Sequence, residues 1–319
     1  MVGKLTDSRH ASASILPAIM GLSPWSTPND TLNKCLMARD GMPDTWAGNE
    51  ATEWGNRLEP TIIQEMVDRL GLTGWHEPQT QFKHPTLPLG ASLDGVGYAA
   101  GNVIKHNPDN GIYIIGATEV TLNSDIALES KLTRSDPELI PAPFRGPIQL
   151  QAQLMCSGLS YGAVGVLYSG LELRIFIYPS DPRMMTKIAE AVTDFERRLD
   201  AREYYPPASS ADCNIVWPIA DDVEEPLQLP AELGGVDILE LIEAHHAATA
   251  AKKASDSVQS DVDQVLKEIL GNHSVGRIGD FEVKWPMRHY KAKPEVVTPA
   301  KDAYSKRQSN ITVRKVASW

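Results

Sequence analysis

The chain has 319 residues, of which 42% are hydrophobic and 22% charged, a composition typical of a globular protein with one large domain and an appendage. No apolar run approaches the roughly 18 residues of a membrane span, and the first residues lack a signal-peptide hydrophobic region. We therefore expect a cytoplasmic protein that does not act at a membrane, and three widely separated cysteines exclude a disulfide framework.

The net charge of −11 argues against a uniformly cationic nucleic-acid coat. Residues 284–319 nevertheless carry nine Lys and Arg against two acids, a net +7 that leaves −18 on the rest of the chain. Such a basic tail is typical either of a polyanion contact or of a solvated charged face.

Helices are predicted over most of the first 71 residues. A first helix is expected over residues 12–23, with serines at its start, and a second over 27–41. Residues 49–71 carry an apolar stripe at every fourth position and end at Gly71, which predicts a longer helix that Pro60 either kinks or restarts.

Strand patterns follow. We predict strands over 80–84, 89–98, 111–122 and 126–133, then a helix over 147–159 and two strands, 161–170 and 171–179, that form a hairpin. A helix over 183–202 closes this part. The order of elements predicts an α/β fold in which helices flank a mixed sheet.

Composition divides the whole chain into three parts. Residues 1–202 are expected to form the core domain, and the Pro-, Ser- and acid-rich stretch 203–234 a linker. Residues 235–319 would form an appendage with a long helix, and the segments 277–285 and 310–316 a β-hairpin.

Two carboxylates and a lysine lie on the predicted strands. Glu129 and Lys131 are two apart on one strand and must share a face, with Ser130 on the opposite face. Asp94 follows another short strand, before Gly95. If the two strands are neighbours, these groups converge as phosphodiester hydrolysis requires, with carboxylates for Mg²⁺ and a lysine that activates water or offsets charge. An acid and a lysine at this spacing are, by themselves, more typical of a surface ion pair.

Further polar residues occur in the helices. Glu59 lies in the long helix, and Gln149, Gln151 and Gln153 lie in the later one. On a helix Gln149 and Gln153 share a face and Gln151 points elsewhere, which no amphipathic pattern explains.

In this order the segments GLSPW, EWGNRLEP, GASLDGV, LESKLT and QLQAQLMCSG resemble the YqaJ-type viral recombinases, a bacteriophage lambda exonuclease-like family of the PD-(D/E)XK nuclease superfamily. The resemblance covers roughly residues 9 to 200. It implies a restriction-endonuclease-like fold, Mg²⁺ or Mn²⁺ as cofactor, and 5′-to-3′ digestion of linear double-stranded DNA that supplies single strands for recombination.

The resemblance also implies roles for single residues. Asp94 and Glu129 would be metal ligands together with the Ser130 carbonyl, Glu59 would support a metal, Lys131 would be the catalytic lysine, and Gln149 would face a phosphate. The residues implied at the DNA end and its 5′ phosphate are Arg9, Ser12, Ser14, Trp25 and Gln149.

Several features depart from the family pattern. Arg9 lies closer to the following serines than the family arginine that grips the 5′ phosphate, and Arg145 stands where the family often has a tyrosine. The resemblance further implies a ring-like homotrimer, DNA ends as substrate and a single-strand annealing protein as partner. Two alternatives stay open: an endonuclease or structure-specific nuclease of the same fold, and a catalytically lapsed DNA-binding or scaffolding module.

Overall fold

The computed structural model describes residues 6–42, 48–218, 230–270, 275–278 and 281–284. Local sequence signals set the ends of most of its helices. The side chain of Asn49 accepts a hydrogen bond from the N–H of Thr52 and starts the longest helix of the core, and Gly71 ends it in a left-handed conformation. The helices are α1 (Leu16–Ile19), α2 (Pro28–Arg39), α3 (Glu50–Leu70), α4 (Pro147–Ser157), α5 (Pro182–Ala201), α6 (Ser210–Val216) and α7 (Ile238–Leu270), with 3₁₀ turns at Ala13–Ile15 and Pro108–Asn110.

The strands of the core lie in three sheets. They are β1 (Ala11–Ser12), β2 (Trp75–His76), β3 (Phe82–Lys83), β4 (Leu89–Ala91), β5 (Gly95–Gly97), β6 (Asn102–Lys105), β7 (Ile112–Ile114), β8 (Glu119–Leu122), β9 (Ile126–Thr133), β10 (Tyr161–Tyr168) and β11 (Glu172–Pro179). The main sheet has the order β2-β5-β9-β10-β11-β7, and smaller sheets have the orders β1-β4-β3 and β6-β8. β9 pairs antiparallel with β5 and parallel with β10, so the main sheet is mixed, as predicted.

Helices cover both faces of the main sheet. On one face the C-terminal half of α3 packs on alternate β9 residues, Ile126 and Leu128. On the other face α4 lies over Ala127 and the facing residues of β10, and α5 packs against α4. Burial of α3 begins at Ile62, since Trp54 is exposed and Leu58 only partly buried, so its N-terminal half extends beyond the core.

Two helix predictions need correction. The helix expected over 12–23 is reduced to α1, because Ala11 and Ser12 pair with β4 as a strand and no serine caps the turn that follows. α3 runs through Pro60 as one helix, so the restart considered there is wrong. At the first place the tertiary pairing with β4 overrides the local signal.

The strand expected over 111–122 is two strands in different sheets. β7 lies at the edge of the main sheet beside β11, and β8 pairs with β6. Between them Gly116 adopts a left-handed conformation with φ of 79° that breaks the extended run.

Contacts divide the chain into two units, Met1–Trp217 and Pro218–Trp319. The first includes α6, in the stretch expected to be linker. Asp212 of α6 is buried and accepts hydrogen bonds from the Thr27 hydroxyl and the Asn29 amide of α2, so this part of the stretch is folded against the core.

The second unit contains the hairpin of β12 (Glu232–Leu233) and β13 (Val236–Asp237), then α7, then the hairpin of β14 (Val275–Ile278) and β15 (Phe281–Lys284). The long helix is confirmed, but the second hairpin forms within residues 275–284. The partner expected for it, 310–316, lies outside the described residues. Of the helices that are described, none is long and apolar enough to cross a membrane.

Candidate active site

The centre of the candidate site is the face of β9 that points towards α4. Because Ile126 and Leu128 point to α3, Glu129 and Lys131 lie on the opposite face, and the prediction that they share it is confirmed. Glu129 is fully buried, whereas the Lys131 side chain keeps 29% of its exposure. Lys131 Nζ donates to Glu129 Oε1 in a short contact and to Gln149 Oε1 at 3.0 Å.

Asp94 reaches this face because β5 pairs with β9. Gly95 lies opposite Leu128, so the residue before it comes beside the middle of β9. Asp94 Oδ2 accepts hydrogen bonds from the Ser130 N–H at 2.8 Å and the Ser130 hydroxyl at 3.2 Å. Gly95 is the first residue of β5. A Cβ at this position would lie 3.1 Å from Trp75 and 3.2 Å from Ile63, so any larger residue would crowd these two side chains.

The three glutamines of α4 point in two directions. Gln149 and Gln153, four residues apart, both reach β9, whereas Gln151 turns away to the Pro179 carbonyl and the Asp181 N–H. Gln153 is fully buried, and its amide nitrogen donates to Glu129 Oε2 at 2.5 Å and to the Ser92 carbonyl at 2.9 Å. The sequence pattern indicated this shared face, but not that Gln153 binds the central carboxylate.

The charges in the site strongly influence one another. Burial and then the charge of Glu129 raise the pKa of Asp94 well above its usual range, against the opposing effect of Lys131. Burial acts to lower the pKa of Lys131, but the carboxylates of Glu129 and Asp94 outweigh it and the pKa is raised. The site without metal therefore holds an ammonium ion among carboxylates that repel one another.

Glu59 also interacts electrostatically with Glu129 and Lys131. It lies on the N-terminal half of α3, partly buried, and its pKa is raised by burial, then by Glu129 and Glu77. Glu77 was not expected from the sequence. It follows β2, the edge strand beside β5, and only that pairing indicates its place. Glu119, another acid on a strand, lies on β8 in a different sheet.

Two aromatic rings and an arginine lie close to the face of β9 that carries Lys131. Thr133, two residues beyond Lys131, accepts a hydrogen bond from the Arg145 guanidinium, which also pairs with the Glu138 carboxylate at 2.9 Å. Arg145 stacks over the Phe144 ring, and Phe144 meets the Trp25 ring edge-on with 5.0 Å between centroids. Trp25 is 76% exposed, so its ring is open to solvent rather than packed in the core.

The residues expected at a 5′ phosphate are less well placed. Arg9 is exposed and its guanidinium pairs with Asp7 at 2.8 Å. Ser12 is buried, and its hydroxyl lies 3.3 Å from that of the exposed Ser14. With four residues, α1 is too short to present a helix N-terminus to an anion.

The donor chemistry of the site fits a hard divalent cation. Among the described residues no three His, Cys, Asp or Glu side chains surround one point. Mg²⁺ needs only one or two carboxylates, with water and substrate phosphate completing its shell, and Asp94 and Glu129 could supply these. The side-chain oxygen of Gln153 is buried and receives no hydrogen bond from any described residue, so a water ligand of a cation would satisfy it.

One known family matches the part of the chain that carries these residues. Residues 7–160 match the YqaJ-like viral recombinase domain. The chain carries a YqaJ-like viral recombinase domain. The matched range includes every residue of the site, from Trp25 to Gln153, so the YqaJ resemblance read from the sequence motifs is confirmed. No curated protein sequence matches the chain.

Solved structures show more distant similarity. The alkaline exonuclease LHK-Exo from Laribacter hongkongensis is 17% identical with a TM-score of 0.45, over 62% of this chain and 91% of that one. A phage-related exonuclease from Haemophilus somnus 129PT is 13% identical with a TM-score of 0.40, over 60% of this chain and 94% of that one. With TM-scores below 0.5, these similarities establish no activity for this chain.

Proposed function

We propose that this protein is a divalent-metal-dependent DNA exonuclease that hydrolyses phosphodiester bonds from the ends of linear double-stranded DNA. The observation that carries this proposal is the convergence of Asp94, Glu129, Lys131 and Gln149 between β9 and α4. A carboxylate pair beside a lysine is the group of side chains that metal-assisted phosphodiester hydrolysis requires.

Asp94 and Glu129 would hold Mg²⁺ or Mn²⁺, with the Ser130 carbonyl completing the protein ligands and Glu59 supporting the metal from α3. When bound, the cation polarises the phosphoryl oxygen and lowers the pKa of a coordinated water. Neither carboxylate can move freely, because Ser130 holds Asp94 and both Lys131 and Gln153 hold Glu129.

Lys131 and Gln149 act on the substrate side of the site. Lys131 keeps part of its surface exposed while its ammonium is held between Glu129 and Gln149, so it is fixed where negative charge develops on the phosphate. Gln149 accepts from Lys131 with its amide oxygen, which leaves the N–H groups of the same amide to donate to a phosphate.

The exposed Trp25 ring would stack on a base at the DNA end, since aromatic side chains bind single-stranded bases regardless of sequence. Support for this role is the chain of contacts from Trp25 through Phe144 and Arg145 to Thr133 at the end of the catalytic face. Ser14, which is exposed, is the better candidate for a 5′-phosphate contact, and Arg9 would first have to leave Asp7.

The 5′-to-3′ direction, a ring-like homotrimer and a single-strand annealing protein as partner are part of the same proposal. They rest on the family resemblance. In this function the exonuclease would expose single strands for recombination of the phage type, and the domain match to viral recombinases supports that role.

The decisive experiment compares linear and closed circular duplex DNA. With Mg²⁺ the wild-type protein should digest the linear substrate, leave the circle intact and lose activity in EDTA, and Lys131→Ala should be inactive on both. Cleavage of the circle would indicate an endonuclease, and tight DNA binding without metal-stimulated cleavage would indicate a lapsed enzyme. Labelling each DNA end separately determines the direction.

A further inference from the structure

Gln153 links the two segments that carry the carboxylates. Its amide nitrogen donates to Glu129 Oε2 on β9 and to the Ser92 carbonyl, two residues before Asp94 in the turn between β4 and β5. Because both partners are acceptors, the amide orientation is fixed, with the NH₂ group towards them. A single buried side chain on α4 therefore spans both halves of the candidate metal site.

The same contact fixes the Glu129 carboxylate. One oxygen accepts from Gln153 and the other from Lys131, so rotation of the carboxylate would break one of the two bonds. Asp94 is held in a comparable way by Ser130, whose N–H and hydroxyl both donate to the same oxygen. Without Gln153, nothing described holds Glu129 Oε2 in place.

We propose that Gln153 is a positioning residue that orients the Glu129 carboxylate and sets its spacing from Asp94, and that it thereby determines the affinity of the site for its divalent cation. This inference rests on the proposed function, because it concerns the same metal site. Mg²⁺ demands nearly ideal octahedral geometry, so a small rotation of one ligand weakens binding. Hydrogen-bond partners of metal ligands typically contribute 10- to 100-fold in metal affinity or activity.

Gln151 provides a matched control on the same helix. It is also buried and also makes two hydrogen bonds, to the Pro179 carbonyl at 2.9 Å and from the Asp181 N–H at 2.8 Å, but it contacts no residue of the site. Gln153→Met and Gln151→Met each keep the side-chain volume and each remove two hydrogen bonds. Only the first change releases Glu129, so the pair separates positioning from general stability.

The test measures metal binding both with and without catalysis. Gln153→Met should raise the Mg²⁺ concentration for half-maximal cleavage about 10- to 100-fold, and electron paramagnetic resonance of Mn²⁺ without DNA should show a similar loss of affinity. Gln151→Met should stay within about twofold of wild type in both measurements. Gln153→Asn, which keeps an amide but is too short to span both acceptors, should show the same loss if the methionine variant does not fold.

An unchanged Mg²⁺ requirement and unchanged Mn²⁺ affinity in the Gln153 variants would overturn the inference, as would an equal loss in Gln151→Met. A wild-type protein that binds Mn²⁺ but cleaves no DNA would refute the proposed function alone. The Mn²⁺ comparison of the variants would then still test the role of Gln153.

Discussion

Replacing Asp94 with asparagine should abolish cleavage and make the metal-free protein more stable. Burial and the charge of Glu129 raise the pKa of Asp94 above its unfolded value. The stabilising contribution of such a group is complete below the unfolded pKa and is lost as the pH rises through the folded pKa. At every pH above the unfolded pKa, neutral pH included, the raised pKa of Asp94 therefore lowers the stability of the fold, and a side chain that cannot ionise removes that effect.

Geometry indicates that the substitution keeps the local hydrogen bonds. Both donors of Ser130 use the same oxygen, Oδ2 of Asp94, and the amide oxygen of the introduced asparagine can take its place. Burying an ion costs several kcal/mol, of which these bonds and Lys131 return a large part, so we expect a net gain of about 1 kcal/mol. For a folded unit of this size, that gain raises Tm by about 2–4 °C.

The assay is thermal unfolding in EDTA and in Mg²⁺, together with cleavage of linear duplex DNA. Mg²⁺ at about 100 times its Kd should stabilise the wild-type protein by about 2.7 kcal/mol, and Asp94→Asn should lose most of this response. Glu119→Gln is the matched control, because Glu119 is an exposed acid on β8 outside the site. Its stability should change by less than about 0.5 kcal/mol and its activity should be unaffected.

Two results would refute this reasoning. A lower Tm for Asp94→Asn than for wild type in EDTA would mean that the charge stabilises the fold. A Mg²⁺ response that survives the substitution would mean that the cation binds elsewhere.

Three other substitutions test separate parts of the site. Lys131→Met should lower kcat about 10²- to 10³-fold, as loss of a transition-state donor does, with the secondary structure seen by circular dichroism preserved. Trp25→Ala should weaken binding of DNA with single-stranded ends in EDTA by about 1–3 kcal/mol, measured by fluorescence anisotropy, whereas Trp217→Ala, another exposed tryptophan, should not. Gly95→Ala should lower the free energy of unfolding in urea by about 1–3 kcal/mol, since its Cβ would lie 3.2 Å from Ile63, and unchanged stability would contradict that packing role.

The central strand was the most predictable element. Residues 126–133 form β9 with the expected bounds, and the two-residue period alone puts Glu129 and Lys131 on one face. The sequence did not show that the strand after Asp94 lies beside β9. An alternating pattern predicts a strand, but it does not predict which other strand pairs with it. The same limit explains the error at 111–122, where one continuous pattern contains strands of two sheets.

The contacts that the α4 side chains make with the sheet were less predictable than the face of the helix on which they lie. Helical spacing predicts that Gln149 and Gln153 share a face, but whether they touch β9 depends on how closely α4 approaches the sheet. That distance is set by β10, the neighbour of β9, where Gly162 lies beneath Leu150 of α4. A Cβ on Gly162 would lie 2.6 Å from the Leu150 side chain, so that side chain would have to move.

A second glycine of β10 acts on the opposite face. Gly165 lies against Met66 of α3, and a Cβ there would come within 2.3 Å of the methionine sulfur. The two glycines point to opposite faces because they are three residues apart on a strand, so both helices approach β10 closely. α4 thereby brings Gln149 and Gln153 into contact with Lys131 and Glu129 of β9. α3 brings Glu59 close enough to interact electrostatically with the same two residues. Two positions with no side chain thus help to determine the spacing of the site, although no motif of reactive residues includes them.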